Sequence, residues 1–359
     1  MTMNKFIFLS LISFSFFQAE ACTGIKMIAK DNSFVHGRTL EFGMVIDLSL
    51  AYIPAGVDFA SSTDKGEGLK YKSKYASVGA IAFDQLAILD GMNEKGLAVG
   101  AFYFPTFAEY APLTAENQSK ALSPIDFTNW LVTQFATVEE VKAALSDVSI
   151  VPTVGKGWGS TPPPFHYVVY DKSGKCLVIE PIKGKLVGYD NDLGVITNSP
   201  PFDWHITNLR NYLNLNPYNA KPLELRDLDL KPLGQGTGLL GLPGDFTPPA
   251  RFVRATIYST QAIPVPSHIE AVPQAFHILN QFDIPLGSVR QKEDGTTASE
   301  FTQITTVRDP QSLKIFFKTY DEQAIKEVDL SQLKGNSIKK FKIDGKFSPE
   351  NLTQKLTNN

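Results

Sequence analysis

The feature that most constrains this chain lies at its start. Lys5 is followed by an apolar run from Phe6 to Phe17, then by Ala19-Glu20-Ala21 and Cys22. A positive residue, a short apolar segment and an A-x-A triplet form an export leader with its cleavage signal. The apolar run is well short of the ~20 residues that a membrane-spanning helix needs. The reading is therefore a signal peptide over residues 1–21, which is removed, and one folded domain over residues 22–359 that begins Cys22-Thr23-Gly24. Removing the leader would put a thiol and a new α-amino group on the same residue.

With 359 residues and 43% hydrophobic content, the chain can bury a large core. The net charge of −3 gives no basic excess, which argues against a nucleic-acid partner. No lysine-rich amphipathic stretch points to a membrane surface, so none is expected for the mature form. The only two cysteines are Cys22 and Cys176. A single disulfide between them is one reading, and a lipid on Cys22 is another. Lipid-modified leaders usually carry leucine three residues before the cysteine, and this chain has Ala19 there.

Periodicity and turn residues give a coarse map. Strands are expected at 25–29 and 34–42 across an Asp31-Asn32-Ser33 turn. More are expected at 77–82, 86–91 and 96–103, the last two joined at Asn93-Glu94-Lys95-Gly96. Ser123 and Pro124 open a helix that runs to 135, and Thr137-Val138-Glu139-Glu140 is a capping box for a second helix, to 145. Strands follow at 165–170, 176–181 and 185–189, with a hairpin turn at Asp171–Gly174. Residues 213–250 read as a long extended loop. Helices at 250–259 and 269–281 precede strands at 303–307, 313–319 and 325–330. The order suggests packed sheets with helices laid on them.

Several motifs fail on context. Gly236-Thr237-Gly238-Leu239-Leu240-Gly241 matches G-x-G-x-x-G, but no strand leads into it and no helix follows. There is no G-x-S-x-G elbow. The five histidines (His36, His166, His205, His268 and His277) lack metal-ligand spacing and read as packing or surface residues. No metal or organic cofactor is expected.

What remains is Cys22. A free thiol has a pKa of about 8.5 and an α-amine one of about 7.7–8.0. The amine can therefore take the thiol proton near neutral pH, and the thiolate is a strong nucleophile. Such a site also needs oxyanion donors, a cation beside the sulfur and an acceptor that orients the amine.

Five blocks bear on those roles: Cys22-Thr23-Gly24; Gly37-Arg38-Thr39-Leu40-Glu41; Asp90-Gly91-Met92-Asn93-Glu94-Lys95-Gly96-Leu97; Thr197-Asn198-Ser199-Pro200; and Leu242-Pro243-Gly244-Asp245 with Ala250-Arg251-Phe252. Together and in this order they resemble the choloylglycine hydrolase family, the penicillin V acylases and conjugated bile salt hydrolases. The resemblance spans nearly all of residues 22–359. It implies an α+β fold, the αββα four-layer sandwich of the N-terminal nucleophile hydrolases. It also implies cleavage of a linear amide, and a homotetramer assembled through the 213–245 loop.

The resemblance carries roles to single positions. Cys22 takes the place of the nucleophile and its amine that of the base. Arg38 falls at the arginine beside the sulfur, and Glu41 where the family usually has the aspartate that orients the amine. Tyr103 falls at a backbone oxyanion donor, a position that is tyrosine in penicillin acylases and asparagine in many bile salt hydrolases. Asn198 falls at the side-chain oxyanion donor, and Arg251 at a second arginine. Tyr103, within Phe102–Phe107, leans toward a penicillin V acylase-like enzyme with an apolar or aromatic acyl group. The alternatives are N-acyl homoserine lactones or other fatty N-acyl amines, bile salt conjugates, or, in a different class, a lipid-anchored ligand-binding protein without activity. The enzyme would be periplasmic or secreted. Glu41 is the departure, with one methylene more than aspartate. Glu41→Asp should keep amidase activity and Glu41→Ala should lose most of it in a steady-state assay; full activity in the alanine variant would remove Glu41 from the site.

Overall fold

The computed structural model describes residues 21–293 and 296–357. The leader assigned to residues 1–21 lies outside the described residues except for Ala21.

Two antiparallel sheets face each other. Among the described residues their strands, numbered in chain order, are β1 (Cys22–Ile28), β2 (Phe34–Phe42), β3 (Leu48–Ile53), β4 (Ser77–Ala82), β5 (Ile88–Asn93), β6 (Ala98–Tyr103), β7 (Phe165–Tyr170), β8 (Cys176–Ile182), β9 (Lys185–Asp190), β10 (Val289–Glu293), β11 (Thr296–Asp309), β12 (Lys314–Thr319), β13 (Lys326–Asp329) and β14 (Lys339–Lys342). The first sheet runs β1-β2-β11-β12-β13, with β10 also paired to β11. The second runs β9-β8-β7-β6-β5-β4-β3-β14. Helices α4 (Pro248–Gln261) and α5 (His268–Leu279) lie on the first sheet, and α1 (Pro124–Gln134) on the second. The remaining α-helices among the described residues are α2 (Val138–Ala144), α3 (Phe202–Asn208) and the short α6 (Thr353–Thr357). This is the expected αββα sandwich of an α+β fold. One apolar cluster joins the facing sheets and the helices, drawing on Ile25, Leu40, Val99, Phe102, Val168, Phe252 and Leu279.

Local chemistry explains the elements. Ser123 accepts from the Asp126 N–H at 3.0 Å and caps α1, with Pro124 at its first position. Thr137 accepts from the Glu140 N–H at 3.2 Å, while Glu140 reaches back to the Ala136 N–H at 2.7 Å, one residue earlier than in the usual box. Asp31, Asn93 and Asp171 hold the three expected turns with their side-chain oxygens or carbonyls. All nine residues of β2 are buried, because the second sheet covers one face of the strand and α5 the other.

Some expectations needed correction. The first strand starts at Cys22 rather than at 25, so the cysteine is itself in the sheet. The segment 303–307 is the middle of a 14-residue strand, β11. The loop at 213–250 contains an exposed hairpin, Leu223–Leu225 paired with Leu228–Leu230. Cys22 and Cys176 are both free and buried, which removes the disulfide reading. Gly236 to Gly241 forms a loop with a single 3-10 turn, as its context indicated.

Gly37 lets α5 seat on the first sheet. A Cβ there would lie 2.8 Å from Leu279 Cδ1 and 2.8 Å from the Thr306 carbonyl oxygen. The backbone oxygen cannot move aside without breaking the β2–β11 ladder. Gly37→Ala should therefore destabilise the fold by about 1–3 kcal/mol in equilibrium urea unfolding. A loss below about 0.5 kcal/mol would mean that this contact is not tight.

Candidate active site

Cys22 sits at the start of β1, and what surrounds it follows from one short backbone bridge. Gly24 donates to the Ile196 carbonyl at 2.7 Å and accepts from the Ile196 N–H at 3.1 Å. A Cβ on Gly24 would lie 2.7 Å from Ile196 Cγ2 and 3.0 Å from the Phe102 ring, so this approach needs glycine. Two residues on each side of the bridge are Cys22 and Asn198. The Cys22 N–H donates to Asn198 Oδ1 at 2.8 Å. Asn198 Nδ2 donates to the Tyr103 carbonyl, also at 2.8 Å, at the end of β6. A cis Ser199–Pro200 peptide follows.

Arg251, at the start of α4, completes this side. Its Nη2 donates to Asn198 Oδ1 at 2.6 Å, and its Nη1 to the Cys22 carbonyl at 2.5 Å and to Thr23 Oγ1 at 3.0 Å. It is fully buried with no carboxylate bonded to it, and burial is the main influence on its pKa, downward; Glu41 and then Glu300 work against this.

Arg38 comes from β2, where register places it opposite Gly24. Its Nη1 donates to the Ala101 carbonyl at 2.6 Å, and its guanidinium lies 4.0 Å from the centre of the Phe102 ring. Nη2 is buried and has no partner among the described residues, which leaves a cationic donor unspent beside the sulfur. Burial pushes the Cys22 thiol up, Arg38 pulls it down most strongly, and Glu41 pushes it up.

Glu41 is buried in β2, opposite Thr302 of β11. Its backbone N–H donates to the Ala21 carbonyl at 3.0 Å. Oε1 accepts from Thr302 Oγ1 at 2.9 Å, and Oε2 has no partner among the described residues. Burial lifts its pKa from 4.5 to about 8, against the pull of Arg251. In the chain that carries Ala21, the Glu41 carboxyl therefore has no bonded cation, and the Cys22 N–H is held by Asn198.

Cys22, Arg38, Glu41 and Tyr103 line one narrow cleft of about 20 Å³ with Phe42, Trp158 and Phe165. Tyr103 packs edge-on against Phe42 and Phe165, and Trp158 edge-on against Phe42, Phe83 and Phe165. The structure thus gathers all six sequence-derived residues. It adds others that the sequence did not single out: Thr302 on Glu41, Thr23 on Arg251, and Glu300, whose carboxyl takes the Ala21 N–H and is raised by burial. Only strand pairing brings Glu300 and Thr302 here, so no local signal could have found them. Among the described residues no group of three or more His, Cys, Asp or Glu side chains gathers as a metal site.

The comparisons bear on the family and the fold. The family model described as linear amide C–N hydrolases, choloylglycine hydrolase family, matches residues 22–341. A bile salt hydrolase/transferase of Clostridium perfringens is 35% identical over 331 residues, 91% of this chain and 98% of its own length. One from Lactiplantibacillus plantarum is 31% identical, over 86% and 92%. The solved conjugated bile acid hydrolase of Clostridium perfringens superposes with a TM-score of 0.82 at 32% identity, covering 92% of this chain and 100% of that one. Penicillin V acylase from Agrobacterium tumefaciens superposes at 0.70 with 25% identity, covering 89% and 90%.

The buried Glu41 carboxyl makes a prediction for the chain that retains Ala21. A folded pKa of about 8 against 4.5 unfolded means that folding favours the protonated acid. The stability this contributes is complete below about pH 4.5 and is lost as pH rises toward 8, up to a few kcal/mol. Urea unfolding across that window should show the decline, and Glu41→Gln should flatten it; an equal slope in both would place Glu41 outside this linkage. The fold, the converging site and the match across residues 22–341 make the chain a linear amide C–N hydrolase of the choloylglycine hydrolase family.

Proposed function

We propose that removal of residues 1–21 during export turns Cys22 into an N-terminal nucleophile that hydrolyses N-acyl amides with a compact aromatic or apolar acyl group, in the manner of a penicillin V acylase. The observation that carries this reading is the convergence of Asn198 and Arg251 on the Cys22 backbone, with Cys22 and Arg38 lining a cleft walled by Phe42, Tyr103, Trp158 and Phe165. The freed α-amine takes the thiol proton, and the thiolate, favoured by Arg38, attacks the amide carbonyl carbon. Asn198 Nδ2, with one hydrogen on Tyr103, gives its other to the oxyanion, together with the Tyr103 N–H. The C–N bond breaks, the amine leaves with the proton, and water then hydrolyses the Cys22 thioester to the acid.

The aromatic walls of this narrow cleft, Phe42, Tyr103, Trp158 and Phe165, suit a flat phenoxyacetyl group. Bile salt conjugates are the second reading, favoured by the bile salt hydrolases of 35% and 31% identity. A lipid on Cys22 fits poorly, because the side chain is buried in the sheet. Assembly as a homotetramer is part of the same proposal. Leu223, Leu228, Leu233 and Leu240 stand exposed in the 213–245 segment, an apolar display that suits burial between copies. Light scattering that finds a monomer would refute this part.

The test is amine release by protein that starts at Cys22, on phenoxymethylpenicillin, long-chain N-acyl homoserine lactones, and glycine- and taurine-conjugated bile salts. We expect turnover fastest on phenoxymethylpenicillin, abolished by Cys22→Ala and lowered about 10²–10³-fold in kcat by Asn198→Ala. Faster release from the bile salt conjugates would give the second reading. No Cys22-dependent turnover of any of them would refute the proposal. Intact mass of the exported protein should show a free cysteine N-terminus.

A further inference from the structure

The segment that carries Asn198 is gripped from behind by buried histidines. His205, on α3, places Nε2 3.0 Å from the Asn198 carbonyl oxygen, and its ring stacks on Phe252 with centroids 4.6 Å apart. A carbonyl only accepts, so Nε2 carries the hydrogen. His166, on β7, places Nε2 3.0 Å from the carbonyl oxygen of the preceding residue, Thr197. Its ring lies flat on Phe104, 4.4 Å away and 4° from parallel, and its Nδ1 is 3.2 Å from Glu180 Oε1. The same Glu180 oxygen accepts from the Phe202 N–H at 2.9 Å, at the first residue of α3. One carboxylate on β8 therefore ties the strand that holds His166 to the start of the helix that holds His205.

We propose that Glu180, His166 and His205 form a positioning clamp that sets Asn198 as an oxyanion donor by fixing the carbonyls of Thr197 and Asn198. Two buried histidines from two elements end on two consecutive carbonyls of one short segment, and Glu180 from a third element bonds one of them and the start of the other's helix. None of them lines the cleft, and Asn198 already spends Oδ1 on Cys22 and Arg251 and one Nδ2 hydrogen on Tyr103. The aim of its remaining hydrogen is set by those bonds together with the backbone behind it. A shift of about 1 Å at such a donor can cost on the order of 10²-fold in rate. The clamp rests on the reading of Asn198 given above.

The test uses protein starting at Cys22 and the fastest substrate of the panel. H205F keeps a ring on Phe252 and removes the donor, H205Q keeps an N–H of similar reach, and H166F does for Thr197 what H205F does for Asn198. H205F should lower kcat by about 10-fold or more with KM changed less than about threefold, because only transition-state binding is lost. H205Q should recover most of that rate. Added to Asn198→Ala, H205F should cost little more, since its target is already gone. Should H205F fail to fold, H166F, expected to show the same kcat loss and the same lack of effect on Asn198→Ala, decides the matter. Unchanged kcat in the folded ring variants, or an undiminished loss on the Asn198→Ala background, would overturn the clamp. If Asn198→Ala itself keeps full kcat, the reading of Asn198 fails instead.

Discussion

The site hangs on the pair of backbone hydrogen bonds between Gly24 and Ile196. Without them Asn198 has no reason to lie beside Cys22, since the two are 176 residues apart in sequence. The bridge is possible because position 24 has no side chain. It fixes a distance between two elements that the sheets alone leave open. Arg251 then locks the pair by bonding to the cysteine carbonyl and to the asparagine amide together. A site whose loop residue Asn198 is tied to a strand and a helix keeps its geometry before any substrate arrives.

The second constraint is the cost of buried charge. Arg38 and Arg251 are both sealed from solvent, and neither is matched by a bonded carboxylate. Arg38 spends its bonds on backbone carbonyls and the face of Phe102, and Arg251 on the Cys22 carbonyl and its neighbours. Glu41 and Glu300 lie near enough to influence Arg251, yet burial holds both toward their neutral forms. A positively charged amine at Cys22 would give those carboxyls the cation they lack. A thiolate would do the same for Arg38. In the chain that carries Ala21 these buried charges stay unmatched, and the thiol is pushed up by burial.

Legibility in the sequence followed the range of the interactions. Cys22 and its leader are local, and so are β2 and the capped start of α1. Arg38, Glu41, Tyr103, Asn198 and Arg251 could be named only through the family blocks, because each has an ordinary alternative role in a turn, a strand pair or a core. Glu300 and Thr302 stayed invisible because β11 joins β2 only in the folded sheet. His166 and His205 passed as packing residues, which is half right: each ring is stacked, and each also holds a carbonyl of the Asn198 segment. The Leu223–Leu230 hairpin was readable in its alternation of leucine with charge, but the Pro and Gly content around it masked the period. The Lys339–Lys342 strand carries edge lysines and lacked the apolar signal that identifies a strand.

The central claim is that the α-amine of Cys22 is the working base for its own nucleophilic sulfur. The direct measurement compares kcat/KM for the chain that begins at Cys22 with that for the same chain carrying one extra residue, Ala21. The account predicts that retaining Ala21 removes the general base and lowers kcat/KM by about 10²-fold or more, with the fold intact by thermal unfolding. Equal turnover by the two chains would contradict it.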